Sequence, residues 1–133
     1  MTEDCSSERN QSTDLRAVGL ETMRSIVPGM PQDGDLDFCD GQFGDALIEI
    51  GVINVWSTLW ARKGLGRRER SLVTLGILIA LGAEDELKSH VRIALTNGLT
   101  REEVAEVIYH ASGYAGFPRS MAARKAAREA LGE

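Results

Sequence analysis

The stretch WARKGLGRRERSLVTLGILIALGAEDELKSH, residues Trp60 to His90, decides how the rest of the chain is read. A basic segment (Arg62, Lys63, Arg67, Arg68, Arg70) runs straight into an uncharged apolar run from Ser71 to Ala83, which gives way to an acidic turn (Glu84, Asp85, Glu86) and then a histidine. The apolar run is shorter than the roughly 20 residues that cross a bilayer, and its leucines, isoleucines and Val73 leave no polar face. It predicts the core helix of a helical bundle, Arg67 to Leu81, with Gly82 at the position of a left-handed C-cap. Arg67, Arg68 and Arg70 fall in its first turn, where the helix dipole disfavours cations by a few tenths of a kcal/mol each. An anionic ligand, partner carboxylates or plain solvation would each hold them there.

Outward from this helix, the remaining periodicity is also helical. From Ser12 or Thr13 to Val27 the chain carries apolar residues up to Pro28-Gly29, which stop a first helix, and residues 28 to 36 hold two prolines and read as a loop. A second helix is expected from Asp37 or Asp40, with Trp56 and Trp60 near its end and Lys63-Gly64 ending it, and with Gly44 and Gly51 inside it marking close packing or a kink, since each costs about 1 kcal/mol relative to alanine. After the core helix, Leu87, His90, Val91, Ala94 and Leu95 keep helical spacing to Gly98, and the short intervening turn makes the two helices antiparallel. Thr100-Arg101-Glu102-Glu103 is a capping box that opens a fifth helix, and Pro118 opens an alanine-rich last one, to Leu131. No strand pattern is present, so the fold class is all-α, in about six helices.

The 133 residues fit a single domain over 12–133, preceded by a polar tail at 1–11 whose composition does not offset its ordering entropy. A net charge of −5 with only a local basic segment argues against a nucleic-acid partner, and no stretch is apolar and long enough for a membrane span. Cys5 lies in the polar tail and Cys39 stands alone, so no disulfide and no zinc spacing is expected; with no signal peptide, the expectation is a reducing compartment, the cytoplasm.

Few residues carry chemistry. His90 lies on its helix's apolar stripe, where a histidine is more often structural than catalytic. His110 and Tyr114 sit one turn apart and can share a pocket wall, Trp56 and Trp60 read first as core or interface anchors, and Glu86 precedes His90 by one turn. Glu86 with His90 supplies two ligands where a catalytic metal needs three, so no metal is expected.

The segments Trp56 to Leu75 and Leu81 to Pro118, above all Trp60-Ala61-Arg62-Lys63-Gly64-Leu65, the run from His90 to Gly98, and Tyr114-Ala115-Gly116-Phe117-Pro118, resemble the carboxymuconolactone decarboxylase family. The resemblance implies an alkylhydroperoxidase D-like helical bundle, obligate self-association as trimers or hexamers, and one of two activities. The peroxide-reducing branch uses a Cys-x-x-Cys pair, a following histidine and an upstream glutamate; here those positions hold Ala83, Glu86, His90 and Ser71, so dithiol chemistry there is excluded. The other branch decarboxylates 4-carboxymuconolactone without a cofactor. It implies Arg62 or Arg70 at the carboxylate or lactone oxygen, His90 as proton donor, and Trp60, Tyr114, His110 and Glu86 around a small anionic cyclic acid or lactone. The chain departs from that pattern at Thr58, where an acidic residue is usual, and at Met30-Pro31-Gln32-Asp33, where a His-Val segment is usual. A non-catalytic oligomeric module that keeps the anion pocket is the alternative from another class.

Overall fold

A computed structural model describes Cys5 and residues 13–133, and among these every regular element is helical. The expected tail over 1–11 lies, Cys5 apart, outside the described residues. The chain divides into two compact units, one up to Gly64 and one from Leu65 to Glu133.

In the first unit, α1 (Thr13–Ile26) packs on a helical segment made of α2 (Ala46–Gly51) and a nine-residue π-helix (Val52–Trp60) that continues it without a break. The approach is close at Gly19: a Cβ there would lie 2.3 Å from the carbonyl oxygen of Val52. Leu20, Met23 and Val52 form the core, covered by Phe38 and Trp56 among others. The second helix therefore starts later than its apolar pattern implied. Between 37 and 45 short polar side chains hold the backbone in turns instead: Asp37 accepts from the Cys39 N–H (2.9 Å), Asp40 from Gln42 (2.8 Å) and Asp45 from Gly41 (3.0 Å). Gly44 adopts φ 76°, a left-handed conformation that ends any helix reading of this stretch. Gly51, expected to mark close packing or a kink, stands in open space, with no neighbouring atom within 4 Å of where a Cβ would sit; it is the point at which the α-helix widens into the π-helix. π-Helical geometry is rare and is mostly confined to single turns.

Two charged groups inside this unit were not foreseen. Glu49 is fully buried and Arg16 nearly so, and they form a two-pronged pair, Nε to Oε2 at 2.9 Å and Nη2 to Oε1 at 3.0 Å. Arg16 also donates to Asp35 (2.7 Å) and to the Leu36 carbonyl. The hydrogen bond to Glu49 is the main reason that the guanidinium holds its proton even more firmly than usual. The cysteines correct a further expectation. Cys5 and Cys39 are joined in a disulfide, because folding brings their Cα atoms to 6.0 Å, within bridging range, although 34 positions separate them in sequence. With the thiols paired, the cysteines no longer point to a reducing compartment.

The second unit holds α3 (Arg67–Leu81), α4 (Glu84–Thr96), α5 (Arg101–Ala115) and α6 (Phe117–Ala130) around Leu75, Ile79, Leu87, Val91, Val104 and Ile108. The Thr100 capping box is formed in both directions, Glu103 N–H to Thr100 Oγ1 at 3.1 Å and Thr100 N–H to Glu103 Oε1 at 3.0 Å. Helix α3 is not buried all round: Ser71, Leu75 and Ile79 point inward one turn apart, whereas Val73, Ile77 and Leu81 are 54%, 53% and 67% exposed. That bare apolar face is the feature of the second unit that most needs a partner.

Candidate functional site

His90 is carried on α4 beside the buried Leu87, Val91 and Ala94, which fix its helix against the core. The ring is half-buried, and burial pushes its pKa below the ordinary 6.5, while the Glu86 carboxylate one turn earlier pulls in the opposite direction. The imidazole is thus neutral at neutral pH, and an anion bound beside it would raise its proton affinity again.

Arg70 lies in the first turn of α3 and is partly buried. The register of the α3–α4 hairpin is set by a hydrogen bond from Asn97 Nδ2 to Ser71 Oγ, 2.9 Å. That pairing puts His90 level with Leu78, so Arg70 and His90 differ in height by roughly 12 Å at 1.5 Å per residue. Counting from Gly82 as the turn gives only roughly 6 Å, an underestimate because the hairpin's centre lies nearer Glu84. The two groups are not set side by side.

His110 and Tyr114 occupy a different place. Their rings are 5.3 Å apart on α5 and line a groove of about 930 Å³ between α3 and α5, floored by Leu72, Val107 and Ala111. Gly76 leaves the α3 wall open, and Glu103 and Glu106 stand among the groove's few polar groups. Neither His90 nor Arg70 lines it. Glu103 is engaged by Arg68 as well as by the capping box.

Trp60 and Arg62 belong to the first unit. Trp60 is 6% exposed and stacks on Trp56 with ring centres 5.5 Å apart, and Arg62 is an exposed residue just past the π-helix, its N–H bonded to the Leu59 carbonyl (3.1 Å). Thr58 spends its hydroxyl on the Asn54 carbonyl inside that helix. Among the described residues one group has metal-ligand proximity, Asp37, Cys39 and Glu49, with ligand atoms within 4.8 Å of one another. Its sulfur is in the disulfide and Glu49 is held by Arg16, so neither is available as a ligand.

The sequence reading missed Ser71 and Asn97 as the pair that fixes the hairpin, and Arg16 with Glu49. A signal existed for the second: Glu49 interrupts the apolar run Ala46-Leu47-Ile48-Glu49-Ile50, and a carboxylate there must be paired.

No described helix is long and apolar enough to cross a membrane. Over 74 residues the chain is 51% identical to the 4-carboxymuconolactone decarboxylase of Acinetobacter baylyi, an alignment covering 56% of this chain and 55% of that protein. It is 48% identical over 63 residues to a nitrosuccinic acid decarboxylase of Metarhizium robertsii, covering 47% and 44%. The chain thus spans about half the length of these two curated relatives. An uncharacterized 15.0 kDa protein of Paracoccus denitrificans is 28% identical over 122 residues, covering 90% of this chain and 78% of its own length. The model of the carboxymuconolactone decarboxylase family matches residues 52–129, from the π-helix through nearly all of α6, and the chain belongs to that family.

Proposed function

We propose that the chain is a cofactor-independent carboxy-lyase acting on a small anionic cyclic acid or lactone of the 4-carboxymuconolactone type, in the breakdown of aromatic compounds. The observation that carries this reading is that His90, Arg62, Arg70, Trp60, Tyr114, His110 and Glu86 all fall within the family-matched stretch 52–129. In this account His90 is neutral until substrate arrives. The substrate's carboxylate raises the imidazole's proton affinity, so that His90 takes up a proton from water. The carbon–carboxylate bond then breaks, CO₂ leaves, and the electron pair passes into the lactone carbonyl as an enolate stabilised by an arginine. His90 delivers its proton to the carbanion carbon. Arg70, in the same unit as His90, is assigned the far end of the substrate. The roles of Arg62 and Trp60 rest on the family resemblance of their segment, and those of His110 and Tyr114 on the groove they line.

The test is His90→Gln. The proposal expects a loss of at least about a hundredfold in turnover, the scale of a general acid, with stability kept. A loss of about 1 to 3 kcal/mol in stability with turnover unchanged would make His90 a core residue instead.

Reduction of peroxides is disfavoured, since Ala83 and Glu86 stand where that branch places its thiols. Self-association as a trimer or hexamer is supported by the exposed Val73, Ile77 and Leu81; light scattering that gave a 14.5 kDa particle at micromolar concentration would contradict it. A cytoplasmic placing fits if the Cys5–Cys39 bond is a redox-responsive one, as disulfides in that compartment are.

A further inference from the structure

The chain carries 20 acidic and 15 basic residues, yet one groove of its second unit reverses that balance. Between α5 and α6, a depression of about 330 Å³ brings together three guanidinium groups, Arg101, Arg124 and Arg128, and one carboxylate, Glu133. The nearby acidic residues Glu106 and Glu129 are turned elsewhere: Glu106 lines the α3–α5 groove, and Glu129 is bound to Lys88 at 2.6 Å. Counting side chains, three guanidinium groups face one carboxylate here, in a protein whose formal net charge is −5.

The floor is apolar. Val104, Ile108 and Ala127, each under a tenth exposed, form it, and the Tyr109 ring, 62% exposed, stands at its side. A guanidinium presents a planar fork that matches a carboxylate in two parallel hydrogen bonds, and the groove already demonstrates this affinity on one of its own groups, since Arg101 is paired with the Glu133 side chain. A volume at the lower end of small-molecule sites, an apolar floor with an aromatic wall and cations at the rim together select by size, by shape and by charge. They fit a compact ring bearing two acid groups better than a bare inorganic anion, which leaves the floor unused, and better than a monoacid, which leaves arginines unused.

We propose that the α5–α6 groove is a second anion site, which binds a ring dicarboxylate, with Arg124 and Arg128 as its principal anion-binding residues and Glu133 as a tethered competitor for Arg101. No residue of α3 or α4 lines it, so it is separate from His90 and Arg70 and does not depend on the proposed reaction.

The experiment titrates the full chain with phthalate, benzoate and inorganic phosphate, by calorimetry and by the Tyr109 ring signals in NMR. Expected is saturable phthalate binding reported by the Tyr109 signals, at least about tenfold tighter than that of benzoate or phosphate. The double variant Arg124→Gln/Arg128→Gln, in exposed positions that leave the helices formed, is expected to weaken phthalate at least about tenfold. Glu133→Gln is expected to tighten it, because the competing carboxylate is gone, and His90→Gln to leave it unchanged. The proposal is overturned by an absence of saturable binding, by phosphate binding as tightly as phthalate, by affinity that survives loss of both arginines, by weakening in Glu133→Gln, or by binding that disappears in His90→Gln.

Discussion

Replacing Glu49 by glutamine tests whether a buried ion pair holds the first unit together. Glutamine keeps the shape of the side chain but removes its charge, and its amide N–H group faces one of the two Arg16 donors that now lie 2.9 and 3.0 Å from carboxylate oxygens. Arg16, 7% exposed, would then keep one neutral amide acceptor, the Leu36 carbonyl and a single carboxylate, that of Asp35, whose side chain is 60% exposed. Removing one member of such a pair costs about 3–5 kcal/mol, because the surviving charge stays buried. With an unfolding slope near the lower part of about 1–3 kcal/mol per molar urea, the midpoint should fall by about 2 to 3 M. Both tryptophans of the chain, Trp56 and Trp60, lie in the first unit, so their fluorescence reports that unit, while circular dichroism at 222 nm reports all the helices. A fluorescence midpoint shifted by less than about 0.5 M would refute the reasoning, and Arg16→Met/Glu49→Leu should recover most of the loss, since a well-packed apolar pair replaces such a bridge at little cost.

Gly19→Ala should destabilise the same unit by about 1–3 kcal/mol in the same urea experiment, because the new methyl meets the Val52 backbone at 2.3 Å, an atom that cannot rotate away. Serine at Cys5 and Cys39 together should cost about 4 kcal/mol by loop entropy for a separation of 34, seen as a lower fluorescence midpoint that dithiothreitol reproduces in the parent protein; equal stability with and without reductant would contradict the pairing. The His90 pKa is lower in the folded chain than its unfolded value of 6.5, so the stability it contributes is complete above 6.5 and is lost as pH falls through the depressed folded value. Urea titrations from pH 7.5 to 4.5 should show that slope in the parent and a shallower one in His90→Gln.

Local chemistry was legible in the sequence, and tertiary register was not. The Thr100 capping box and the left-handed Gly82 cap depend on residues within one turn of each other, the span of α3 from Arg67 to Leu81 on one continuous stretch of sequence, and each stands where the pattern put it. The contact of His110 with Tyr114 is of the same kind, two side chains one helical turn apart. The start of α2 was misplaced because Phe43 and Leu47 keep helical spacing while Asp37, Asp40 and Asp45 hold the backbone in turns. The widening of the helix at Gly51 leaves no periodic trace in nine residues, and the Cys5–Cys39 bond joins positions that only the folded first unit brings near. For the site, the composition of the candidates was readable, but the height of His90 relative to Arg70 depended on one hydrogen bond, Asn97 to Ser71, that no spacing rule reveals.

The proposed decarboxylation, without metal, thiol or organic cofactor, is tested most directly by CO₂ release from 4-carboxymuconolactone by the full chain in the presence of a chelator. The account predicts one CO₂ per lactone consumed, undiminished by the chelator and reduced at least about a hundredfold in His90→Gln. No CO₂ above the spontaneous rate, or release equally fast in the parent and His90→Gln, would contradict it.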